Sequence, residues 1–125
     1  MHKKILLIED DQFLAEIYVA KFNEAGFEIS VAQDGYQGLK KAKEQKPDLI
    51  LLDLIMPTMD GFDVLRCSKG DADLEGIPVI ILSNLGEEED VRKGLELGAD
   101  DYLIKAHYTP TEVVAKVQEI FSKRE

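Results

Sequence analysis

Short apolar runs alternate along this chain with longer amphipathic stretches. The runs are Ile5-Leu6-Leu7-Ile8, Leu49-Ile50-Leu51-Leu52, Val79-Ile80-Ile81-Leu82 and Tyr102-Leu103-Ile104, with a weaker one over residues 27–31. Runs this short and this continuously apolar suit strands buried on both faces, while the stretches between them carry helical spacing. The alternation predicts an α/β protein with a doubly wound parallel sheet. Strands are expected near residues 3–8, 27–31, 48–52, 77–82 and 101–104, and helices near 11–25, 35–45, 61–69, 87–97 and 110–123.

Helix boundaries carry their own signals. Leu14, Ile17/Tyr18, Phe22 and Ala25 form the apolar stripe of the first helix, and Gly26 is placed to end it. Asp34-Gly35-Tyr36-Gln37 and Thr109-Pro110-Thr111-Glu112 read as capping boxes, and Asp60-Gly61-Phe62-Asp63 as a similar start. Val113, Val117, Ile120 and Phe121 give the last helix a core-facing stripe. The fourth helix is poorer. Glu87-Glu88-Glu89-Asp90 suits its N-terminus, but only Val91, Leu95 and Leu97 are large and apolar, and Gly94 lies inside. It is expected to be the least firmly held.

Composition narrows the class. The chain has 125 residues, which fits one domain spanning 1–125, and 45% of them are hydrophobic, which excludes global disorder. No apolar run approaches the roughly 18 residues of a membrane span. The four apolar residues after Met1-His2-Lys3-Lys4 are too few for a secretory segment, so a cytoplasmic protein with no membrane partner is expected. A net charge of −10 argues against direct nucleic-acid binding by this domain. Lys40, Lys41, Lys43 and Lys46 are read as a solvated helix face. The single Cys67 excludes an internal disulfide, and His2 and His107 show no metal-ligand spacing.

The candidate chemistry sits where the apolar runs stop. The first ends in Glu9-Asp10, the third in Asp53, the fourth in Ser83 and the fifth in Lys105. Parallel strands would gather these groups on one edge. With strand order 2-1-3-4-5, the crevice at the switch point lies between strands 1 and 3, so Glu9 and Asp10 would face Asp53. Carboxylates packed so closely need a counter-charge, and Mg²⁺ suits one or two carboxylates plus waters and a phosphate oxygen. Lys105 would add a mobile positive charge and Ser83 a hydroxyl donor. Together they suit phosphoryl transfer onto Asp53 as a nucleophile.

Taken together, Ile5-Leu6-Leu7-Ile8-Glu9-Asp10-Asp11, Leu51 through Gly61, Val79-Ile80-Ile81-Leu82-Ser83 and Gly98 through Lys105 resemble the receiver domain of two-component response regulators. A member of that family, the chemotaxis response regulator, has the flavodoxin-like strand order 2-1-3-4-5. The resemblance therefore carries part of the topology as well. It implies that Asp53 is the phosphoacceptor, Asp10 a direct Mg²⁺ ligand, Glu9 a ligand through water and the Ile55 backbone carbonyl a further ligand. Ser83 would be the switch hydroxyl, Lys105 its partner on the phosphoryl group, and Tyr102 an aromatic that changes rotamer with Ser83. Asp11 would be a neighbour of the metal site.

The function implied is a phosphorylation-controlled signalling switch, not an enzyme beyond assisting its own phosphorylation and dephosphorylation. A sensor histidine kinase, a phosphotransfer protein or a small phosphodonor would load Asp53. The face made by the fourth helix, fifth strand and fifth helix would then bind an effector, or a second copy as a homodimer. Two positions depart from the family pattern: Ala106 stands where proline usually follows the lysine, and Asn84 where a small residue is common. Ile55 and Leu85 flank the expected path of attacking water and are apolar, so slow loss of the phosphoryl group is expected. The alternative is a phosphate-independent interaction module of the same fold, for which Ala106 and Asn84 are the support. A Mg²⁺-dependent hydrolase is disfavoured because Ile55 supplies no acid for a leaving group. A nucleotide-binding flavodoxin-like protein lacks a glycine-rich phosphate loop.

Overall fold

The computed structural model describes residues 2–124. Five parallel strands, β1 (Lys4–Ile8), β2 (Glu28–Ala32), β3 (Leu49–Leu52), β4 (Val79–Ser83) and β5 (Asp101–Ile104), form one sheet in the order β2-β1-β3-β4-β5. Helices α1 (Gln12–Glu24), α2 (Gly35–Gln45), α3 (Gly61–Gly70), α4 (Glu88–Glu96) and α5 (Pro110–Arg124) make the connections, and a 3₁₀ turn spans Lys105–His107.

The two-residue period of the strands divides the core. Ile5, Leu7, Leu49, Leu51, Ile80, Leu82 and Leu103 face α1 and α5, where they meet Tyr18, Phe22, Val113 and Val117. Leu6, Ile8, Ile50, Leu52 and Ile81 face the other way and meet Ala42, Val64 and Leu65 of α2 and α3. Covering both faces is what allows runs without any polar alternation.

The caps follow the expected residues. Thr109 Oγ1 accepts from the Glu112 N–H at 3.2 Å, and Glu112 Oε1 accepts from the Thr109 N–H at 2.9 Å, a complete capping box. Asp34 and Asp60 cap α2 and α3 through the N–H groups of Gln37 and Asp63. At the end of α1, Gly26 takes φ +90°, and the N–H groups of Gly26 and Phe27 return to Asn23 and Phe22. Ala25 is the C-cap and exposed, so it drops out of the predicted stripe, and Ala15 is buried instead.

Lys40, Lys43 and Lys46 stay exposed, as the solvated face read from the sequence requires, and only the half-buried Lys41 departs from it. Lys41 Nζ donates to the Val31 carbonyl of β2 at 2.5 Å, Lys43 pairs with Asp71 at 2.8 Å, and Lys46 reaches Asp73 at 3.7 Å. Their spacing turns them toward β2 and the loop after α3, which the acidic residues of that loop reward.

Candidate functional site

The sheet register sets the site. Ile8 pairs with both Ala32 and Leu52, so the residues that follow β1 and β3 emerge side by side. The Glu9 N–H donates to the Ala32 carbonyl at 2.9 Å and the Asp53 N–H to the Ile8 carbonyl at 3.1 Å, which continues the ladder past the strand ends. Both acids are therefore fixed at their backbones and buried, with Glu9 1% exposed and Asp53 6%. Asp10 beside them is exposed.

Carboxylate oxygens of Glu9, Asp10 and Asp53 lie within 4.8 Å of one another. Lys105, from the 3₁₀ turn after β5, supplies the counter-charge. Its Nζ donates to Glu9 Oε1 at 2.5 Å and to Asp53 Oδ2 at 3.1 Å. The Lys105–Ala106 bond is trans, as are all peptide bonds among the described residues. The turn reaches the acids without the cis proline of the family pattern.

Electrostatics at this edge follow burial and pairing. Burial pushes the Glu9 carboxyl up to about 6, and the neighbouring Asp53 charge adds to this while Lys105 opposes it. For Lys105, burial works to lower the ammonium's pKa, but Glu9 and Asp53 together outweigh it and the net shift is upward. The lysine thus stays charged and acts as an internal cation.

The surrounding groups have defined places. Asp11 Oδ1 accepts from the Leu14 N–H at 3.1 Å and caps α1, while its own N–H donates to Glu9 Oε2 at 3.2 Å. That leaves Asp10 as the outward carboxylate of the acidic triplet. The Ile55 N–H donates to Asp53 Oδ1 at 3.3 Å, and the Ile55 side chain is 56% exposed. A Cβ at Gly61 would lie 2.4 Å from the Asp53 carbonyl oxygen, so only glycine lets α3 start against the strand end.

Ser83 is fully buried at the end of β4, and its Oγ accepts from the Leu85 N–H at 3.4 Å. No hydrogen bond joins it to Asp53 among the described residues. Tyr102 is half-buried on β5, and its hydroxyl donates to the Leu85 carbonyl at 2.5 Å. Burial, with the charges of Asp90 and Asp53, pushes that hydroxyl up to about 12. Ser83 and Tyr102 thus meet at one residue of the β4–α4 loop.

One neighbour of the site was not legible in the sequence. Tyr18 of α1, 2% exposed, lies within the influence of Lys105, Glu9 and Asp53. Its phenol is raised chiefly by burial. In sequence it is one more member of an apolar stripe. The signal was a phenol among aliphatic residues, on a helix whose side chains lean back toward the site edge.

The donor set is all hard oxygen and lies close enough to turn toward one small divalent cation, so these residues fit Mg²⁺. The model of the response regulator receiver domain family matches residues 5–118. The DNA-binding response regulator MtrA of Mycolicibacterium paratuberculosis is 42% identical over 94% of this chain and 51% of its own length. The alkaline phosphatase synthesis transcriptional regulatory protein PhoP of Bacillus subtilis is 38% identical over 100% of this chain and 51% of its own. The chain thus spans about half the length of the curated relatives it matches. Among solved structures, the receiver domain of the Francisella response regulator 1452 superposes with a TM-score of 0.90 at 32% identity, covering 99% of this chain and 100% of that one. Among the described residues, no helix is long and apolar enough to cross a membrane.

Proposed function

This chain belongs to the response regulator receiver domain family, and from that premise we propose that its 125 residues act as one phosphorylation-controlled switch loaded on Asp53. Receiver domains are signalling modules, and the observation that carries the reading here is the triangle of Glu9, Asp53 and Lys105 beside Asp10. A buried carboxylate held between a second acid and a lysine is a nucleophile with charge control already in place.

The phosphodonor is a phosphohistidine on a sensor kinase or phosphotransfer protein, or a small acyl phosphate. An Asp53 carboxylate oxygen attacks phosphorus. The new O–P bond forms as the N–P bond of the phosphoimidazole, or the O–P bond to the donor's acyl oxygen, breaks, and the electron pair leaves on the imidazole nitrogen or on the released carboxylate. Mg²⁺, held by Asp10, Asp53, the Ile55 carbonyl and, through water, Glu9, would supply neutralisation of charge on the transferring oxygens. Lys105 exchanges Glu9 for a phosphoryl oxygen. The buried Ser83 hydroxyl gives up the Leu85 N–H and donates to the same group. Tyr102, tied to the Leu85 carbonyl, follows that loop. The added charge, about −1.5 to −2 as on other phosphorylated side chains, then biases α4, β5 and α5 toward the arrangement that binds an effector or a second copy. The relatives' printed names describe DNA-binding and transcriptional regulators, so the output we assign is a cytoplasmic regulator whose nucleic-acid contacts lie outside this domain.

The test is phosphate-affinity gel mobility after treatment with acetyl phosphate, with and without Mg²⁺, for wild type and Asp53→Ala. A Mg²⁺-dependent shifted band that Asp53→Ala lacks is the expected result. No shift with acetyl phosphate or other small donors would transfer the case to a phosphate-independent interaction module.

A further inference from the structure

The inner side of α4 is made by two adjacent residues that use different physics. Gly94 is its only buried residue, and a Cβ there would stand 2.6 Å from Ile81 Cδ1 and 3.1 Å from the Tyr102 ring. Lys93 turns the other way, and its Nζ lies 4.3 Å from the centroid of the Phe62 ring. Phe62 is the second residue of α3 and only 8% exposed. It directly follows Gly61, whose N–H donates to the Leu54 carbonyl at 2.9 Å and whose α-carbon abuts the Asp53 carbonyl. The ring is therefore anchored to the phosphoacceptor's own backbone.

Apart from half-buried Val91 and the C-cap Leu97, which packs on the core, little else holds α4. Its N-cap, Glu87, makes no side-chain capping bond, and the side chains of Glu88, Glu89, Arg92, Leu95 and Glu96 stand exposed. Lys93 is itself exposed, so its contact with the ring is of the modest, solvent-side kind, which still counts on a helix held by so little else.

We propose that Lys93 and Phe62 form a clasp that fixes the resting position of α4 on the first turn of α3, independently of the Ser83–Tyr102 side. Helix α4 is thus held at two points. One is the shape fit of Gly94 on β4 and β5, and the other is a charge–quadrupole contact that reaches back to the loop after Asp53. Its consequence for signalling rests on the switch reading above, but the clasp itself is a property of the unphosphorylated chain and is measured there.

The experiment is amide hydrogen exchange over residues 88–96 in wild type, Lys93→Gln, Lys93→Arg, Phe62→Leu and the Lys93→Gln/Phe62→Leu double variant, without Mg²⁺ or phosphodonor. Lys93→Gln is expected to speed exchange in α4 by about two- to fivefold with α1 and α5 unchanged, and Phe62→Leu, which also thins the core, to speed α4 at least as much. Lys93→Arg keeps wild-type rates, because a guanidinium serves the same ring. The double variant exchanges no faster than the faster single one, because either change alone opens the clasp. Unchanged exchange in Lys93→Gln, equal acceleration of α1 in that same variant, or additive effects on α4 in the double variant would each overturn the clasp. Lys93→Gln alters an exposed side chain and leaves the core intact, so the test stands even if Phe62→Leu folds poorly.

Discussion

Helices α4 and α5 flank the same strand and are held in opposite ways. Helix α5 buries Val113, Val114 and Val117 and begins with a reciprocal capping box. Helix α4 buries one glycine and has no side-chain cap. One is part of the core and the other rests on it. A switch needs this inequality, because an element can move at little cost only if few apolar contacts must be broken.

The largest expected effect tests that inequality directly. Val117→Ala should cost about 2–3 kcal/mol in urea unfolding, from lost transfer energy plus a cavity. Leu95→Ala on α4, a residue 46% exposed, should stay within about 0.5 kcal/mol. Comparable losses would mean that α4 is core after all.

A smaller effect contrasts α4 with the strand ends it would respond to. The Glu9 carboxyl is raised from 4.5 to about 6, so the folded chain holds its proton more tightly than the unfolded chain. Its stabilising contribution is then complete below about pH 4.5 and lost as pH rises through about 6. Metal-free protein should lose about 1–2 kcal/mol between pH 4.5 and 7 on this account. Glu9→Gln should flatten that segment of the stability–pH curve, followed by denaturant midpoints, while Leu95→Ala should leave its shape alone. A curve whose slope is unchanged in Glu9→Gln would show that burial does not raise this carboxyl.

The smallest effect lies in the loops that follow β3 and β4. Ile55 is exposed and Leu85 half-buried, and both are apolar where attacking water would pass. Phosphorylated wild type should therefore lose its label slowly. Leu85→Glu should shorten the lifetime by about fivefold, or ~1 kcal/mol in barrier. Loss within seconds in wild type, or no change in Leu85→Glu, would show that the apolar pair shields nothing.

The sheet was readable because burial on both faces leaves short uninterrupted apolar runs, and the site because polar groups end those runs. Glu9, Asp53 and Lys105 come together as that pattern requires. What stayed hidden are contacts between helix surfaces. Lys41 on Val31, Lys43 on Asp71 and Lys93 on Phe62 each depend on how far a helix is rotated and how near it lies to its neighbour. Periodicity gives the apolar face of a helix but not the partner of a flexible cation on its flank. The preference of Lys105 for Glu9 over Asp53 is of the same kind, set by side-chain reach.

The lysine on the Val31 carbonyl carries a consequence for how this protein behaves in a crowd. Strand β2 closes one side of the sheet, and Val31 points its carbonyl outward, where a sixth strand from another molecule would add. With Lys41 already hooked onto that oxygen, such an addition must first evict an ammonium group and then bury it against the incoming chain. The hook takes one acceptor out of this edge and so makes β2 a poorer template for a further strand.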